Sequence, residues 1–164
     1  MRILLAATLL TGLGSPVLAC DGGRLFGMID APLPAQADVS FDVAVVDSTE
    51  GGNWDVYLAV GGKLAENLVR TDFGEVGRYQ TRLVVSSPDA YAVTATRYIY
   101  SAPAYVSGST TVREEKDIYV FCDGKLYLPE EDFGLGEDYK GQAADALATF
   151  DAEEVKAYLP ALKR

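Results

Sequence analysis

The chain has 164 residues, 24 Asp plus Glu against 14 Lys plus Arg, two Cys and no His, for a formal net charge of −10. Without an imidazole there is no Ser-His-Asp or Cys-His relay, no His-ligated zinc and no histidine switch near neutral pH, and two thiolates are too few for an all-cysteine structural zinc site. The acidic balance also opposes nucleic-acid phosphates and anionic lipid headgroups, which are held by clustered Lys and Arg.

Arg2, the apolar run 3–13, the helix-breaking Gly14-Ser15-Pro16 and the small Ala19 have the form of an export signal cleaved after Ala19. The run is shorter than the about 20 apolar residues that cross a bilayer, so no transmembrane segment is expected. Losing residues 1–19 removes one basic residue and no acid, which leaves 145 residues with a net charge of −11. A chain of about 150 residues buries about 70% of its unfolded surface, enough for one domain with a sizeable core. The expected organisation is a signal peptide over 1–19, an N-terminal arm over 20–37 in which Pro32 and Pro34 favour extended backbone, and a single β-rich domain over 38–164. The expected location is the periplasm or the exterior of a bacterial-type cell.

Cys20 has two alternative fates. Cleavage after Ala19 leaves it free to form a disulfide with Cys122, closing a loop of about 100 residues worth up to about 4.7 kcal/mol in the chain-entropy account. Alternatively, Val17-Leu18-Ala19-Cys20 resembles a bacterial lipobox, with Leu18 where a smaller residue is usual, and Cys20 carries a lipid anchor to the cell envelope. The even cysteine count favours the bridge, because lipidation orphans Cys122.

From Val39 the apolar residues recur with a period of two. Val39, Phe41, Val43 and Val45 alternate with Ser40, Asp42 and Ala44, the pattern of a strand with one buried face. Residues 47–53, with Gly51-Gly52, end that strand, and Trp54, Val56, Leu58 and Val60 begin the next alternation. Gly61-Gly62 signals a hairpin into a strand over 64–71, followed by strands over 78–85 and 90–101 with a Ser86-Ser87-Pro88-Asp89 turn between them. Strands over 118–122 and 125–128 flank Asp123-Gly124, a strong two-residue hairpin signal. Helix is expected only near the C-terminus, at 142–149 and again after Asp151, where Val155, Tyr158, Leu159 and Leu162 form a core-facing stripe until Pro160 stops or kinks it. The fold class is therefore mainly β, an antiparallel β-sandwich or barrel-like domain with a C-terminal helix.

Three segments carry the candidate functional residues. Glu130, Glu131, Asp132, Glu137 and Asp138 surround two glycines and are weak calcium candidates, although their spacing is not that of an EF-hand and a solvated acidic loop explains them. No other cofactor is expected. Between Leu64 and Glu115 every basic residue is Arg, and Arg78, Arg82 and Arg97 with Tyr98 and Tyr100 make a candidate polar binding surface. Strand alternation puts Arg78 and Arg82 on one face; the competing explanation is cross-strand ion pairing with the many carboxylates. The loop 101–113 adds Ser107, Gly108 and Ser109 between two anchoring strands. Ser107-Gly108 resembles the start of the Ser-Gly-x-x-Tyr loop of periplasmic lysozyme inhibitors, with Thr111 standing where that motif has tyrosine.

No nucleophile elbow, phosphate loop or dinucleotide fingerprint is present. The sequence favours an exported, non-catalytic binding or interaction module acting on an unspecified protein or small-molecule ligand. A lysozyme-inhibitor-like protein and a carboxylate-dependent hydrolase are the alternatives.

Overall fold

The computed structural model describes residues 22–45, 48–127 and 136–164. Seven strands form one antiparallel sheet in sequence order, β1 Val39–Val45, β2 Ser48–Leu58, β3 Ala65–Gly74, β4 Gly77–Ser87, β5 Ala90–Tyr100, β6 Thr111–Cys122 and β7 Lys125–Leu126. The expected mainly antiparallel β architecture with a C-terminal helix, α2 at Gly136–Ala148, is what the chain adopts. Among the described residues all strands share a single sheet, and no hydrogen-bonded β1–β7 pair closes it into a barrel.

The alternation read from β1 matches its burial along all seven residues. Asp123 (φ 53°) and Gly124 (φ 74°) both take left-handed backbone, as a two-residue hairpin turn requires, and Cys122 pairs with Lys125 across it. Two boundaries differ from the pattern. Gly51-Gly52 lie inside β2 rather than in a turn, because β2 passes so close to β3 that a Cβ on Gly52 would collide with the Thr71 carbonyl oxygen. β6 starts seven residues before Ile118 and runs straight through Arg113, Glu114, Glu115, Lys116 and Asp117. Among the described residues the outer edge of that charged stretch pairs with no strand, and such a run of charges opposes pairing with another chain.

The sheet is covered on both faces. On one, Trp54, Val56, Leu68, Leu83, Tyr91, Val93 and Tyr119 meet Ala143, Ala146 and Leu147 of α2, with Phe150 and Val155 beyond it. The stripe Val155, Tyr158, Leu159 and Leu162 packs on this core as expected, but only Glu153–Val155 forms a 3-10 turn and no second α-helix follows. The tail instead gives its backbone groups to the sheet. Ala65 N–H donates to the Tyr158 carbonyl at 2.8 Å, and Lys163 N–H donates to that of Pro88 at 2.9 Å. Pro160 reinforces the outcome by withholding a helical donor.

The arm over 20–37 is not extended throughout. Gly22–Asp30 form a nine-residue helix, α1, whose Leu25 and Ile29, four residues apart, are buried against Val84 and Ala92 on the second face. Gly23 and Gly27 give this segment poor intrinsic helicity, so docking on the sheet stabilises it. No helix among the described residues is long and apolar enough to cross a membrane.

Candidate functional site

The register of β4 on β5 places Tyr98 directly opposite Arg78 and Thr94 directly opposite Arg82. Arg78 and Arg82 do share a face, and Arg97, paired with Tyr79, belongs to the other. The two arginines of the shared face have different roles.

Arg82 lies beneath the end of α1. Its Nη2 donates to the Met28 carbonyl at 2.9 Å and its Nη1 to those of Ile29 and Ala31 at 3.3 and 3.4 Å, while Nε donates to Asn67 Oδ1 at 2.9 Å. These are the carbonyls a helix C-terminus leaves without intrahelical donors, and a cation there also complements the helix dipole. Burial pulls the guanidinium pKa down from its ordinary value, with partial compensation by Tyr57. Arg82 thus directs its guanidinium to Asn67 and the end of α1, and lines neither depression beside Arg78.

Arg78 makes no ion pair with a described residue. Its guanidinium carbon sits 3.9 Å from the Tyr98 ring centroid, and Nη1 lies 3.5 Å from the Tyr100 hydroxyl. Beside it is a pocket of about 290 Å³ lined by Arg78, Tyr100, Ala104, Ser109, Thr110 and Thr111. A second depression, of about 310 Å³, runs along Val76 of the β3–β4 turn, residues 77–79 of β4 and 97–100 of β5, so Arg78, Arg97, Tyr98 and Tyr100 all border it. Other arginines do form ion pairs, but within a strand rather than across strands: Arg70 with Asp72 at 2.6 Å on β3, and Arg113 with Glu115 on β6.

The loop over 101–110 is held in place by its own hydrogen bonds. Ser109 Oγ donates to the Ala102 carbonyl at 2.6 Å, and Thr110 N–H donates to Ser101 Oγ at 3.1 Å. Ala104 N–H and Tyr100 N–H donate to the Glu75 and Val76 carbonyls of the β3–β4 turn at 2.6 and 2.9 Å. Ser107 and Gly108 are exposed at the tip, where Gly108 has φ 84°, and do not line the pocket. Sequence reasoning missed Ala104, Thr110 and Thr111, which only the fold-back of this loop brings to Arg78. Val76, Tyr105, Val106 and Val112 are large apolar side chains exposed near the same end. A tyrosine and arginine centre with apolar surroundings has the composition of a protein-binding patch.

Of the calcium candidates, Glu130, Glu131 and Asp132 lie outside the described residues, and Glu137 and Asp138 stand in the first turn of α2. No group of three or more His, Cys, Asp or Glu suited to a metal occurs among the described residues. Cys20 and the proposed export signal also lie outside the described residues; Cys122 ends β6, opposite Ala90. No family model matches the chain, and neither the curated proteins nor the solved structures contain a match.

Proposed function

We propose that this protein is an exported, non-catalytic binding module that engages a carboxylate-bearing partner through the Arg78 end of its sheet. The observation that carries this reading is the state of Arg78, stacked on Tyr98, with no carboxylate partner among the described residues, and set at a pocket whose other walls are mainly hydroxyl-bearing. A guanidinium presents a planar fork of donors that matches a carboxylate, and stacking on an aromatic ring orients it in advance. The neighbouring tyrosines contribute contact area at low entropic cost. Export to an oxidising compartment and a Cys20–Cys122 bridge belong to the same proposal, the bridge tying the mature N-terminus to β6.

The test is an NMR titration of the mature protein with a polyglutamate peptide, using polyglutamine as the neutral control. Saturable shifts at Tyr98, Tyr100 and Thr110 are expected with polyglutamate only, and Arg78→Ala should abolish them. Equal binding by R78A, or no shifts at this end, rejects the reading. The lysozyme-inhibitor alternative has its own assay, and undiminished lysis in the presence of the protein removes it.

A further inference from the structure

A further concave site lies on the opposite face of the sheet, between α2 and strands β4 and β6. It is a cleft of about 410 Å³, within the size range of small-molecule sites, lined by Tyr79, Asp117, Tyr119, Gln142, Asp145 and Thr149. Asp117 and Tyr119 are two residues apart on β6 and so point to the same side, the side α2 covers. Asp145 and Gln142 are three apart on α2 and share one helical face. Ala146 is the α2 residue between these walls, and its small side chain leaves the space open.

The lining has one electrical sign. Neither Asp117 nor Asp145 has a cationic partner among the described residues, and Arg97, the cross-strand neighbour of Tyr79, does not line the cleft. Gln142 Oε1 accepts from the Tyr119 hydroxyl at 3.2 Å and has a second lone pair to offer a ligand. Tyr139 packs against the Tyr119 ring at 5.0 Å between centroids and donates its hydroxyl to the Ile118 carbonyl at 2.7 Å, so the aromatic wall is fixed from behind. Burial and the neighbouring Asp117, Tyr79 and Tyr139 push the Tyr119 phenol up to about 12, as expected where the surroundings disfavour negative charge.

We infer that this cleft binds an aliphatic ammonium ligand, with Asp117 and Asp145 as counter-charges and Tyr79 and Tyr119 as aromatic walls. An ammonium brings three donors and no acceptor, which suits two carboxylates and an amide oxygen, and aromatic faces attract the same cation. This site shares Tyr79 with the depression beside Arg78 but takes a ligand of opposite charge, and it stands or falls independently of the Arg78 reading.

The test titrates cadaverine into the mature protein, followed by amide shifts and calorimetry, with 1,5-pentanediol as the uncharged analogue. One saturable site is expected, with shifts centred on Asp117, Tyr119, Gln142 and Asp145 and none from the diol. Asp117→Asn with Asp145→Asn should weaken binding by about tenfold or more, the loss of at least one charge-assisted hydrogen bond. Asp30→Asn with Asp42→Asn removes the same charge elsewhere and should leave binding within about twofold. Equal weakening by both pairs, shifts spread over the acidic surface, or no saturable binding at millimolar cadaverine overturns the inference. The shift map of the unmodified protein decides the matter even if the D117N/D145N pair fails to fold.

Discussion

The Arg78 guanidinium lies over the ring of Tyr98, its direct cross-strand partner, with 3.9 Å between the guanidinium carbon and the ring centroid. Exposed cation–π contacts contribute about 0.5–1 kcal/mol, so Tyr98→Leu should lower stability by about that amount in urea denaturation. Arg78→Lys, which keeps the charge but loses the planar stack, should cost a similar amount. A double variant no worse than either single one would identify the ring contact as the shared cause.

Arg82 is the link between α1 and the sheet. Arg82→Met keeps much of the side chain's apolar volume but leaves the Met28, Ile29 and Ala31 carbonyls without their donor, and should destabilise by about 2–3 kcal/mol. Hydrogen exchange gives the sharper readout: α1 amides should lose protection before those of β4 and β5. Uniform loss across the sheet would falsify this role.

Phe150, fully buried, closes the core against Trp54 at 5.7 Å between ring centroids. Phe150→Ala should cost about 3–5 kcal/mol through lost burial and the cavity left behind. Because Trp54 is the only tryptophan, its fluorescence reports on this contact without interference, and a red shift should accompany the substitution.

Alkaline pH should weaken the fold. Burial raises the phenol pKa of Tyr57, Tyr79, Tyr91, Tyr119 and Tyr139, to about 12 for Tyr119 against an ordinary 10.0. Between those values the unfolded chain has released protons that the folded chain retains, so stability is intact below pH 10 and falls as pH rises toward 12. The urea midpoint should decline across that window, and Tyr119→Phe should make the decline shallower. A pH-independent midpoint there would contradict the assignment.

Local pattern alone determined a large part of this protein. Alternation fixed β1 and the shared face of Arg78 and Arg82, because successive strand residues point to opposite sides whatever lies around them, whereas the β4–β5 register put Arg97 on the other face. The Asp123-Gly124 turn was legible for the same reason, its chemistry being contained in two residues. Tertiary structure decided what no short window contains. The charged stretch Arg113–Asp117 is strand because β5 supplies a continuous ladder of partners, and α1 exists as a docked helix despite its glycines because Leu25 and Ile29 find Val84 and Ala92. Arg82 reaches helix carbonyls more than fifty residues away in sequence, and Asp117 meets Asp145 across a cleft only after α2 has crossed the sheet. Composition sets a net charge of −10 but not its arrangement. Strand pairing and helix docking place a guanidinium with no ion pair among the described residues at one end of the sheet, and bring the carboxylates of Asp117 on β6 and Asp145 on α2 to one cleft.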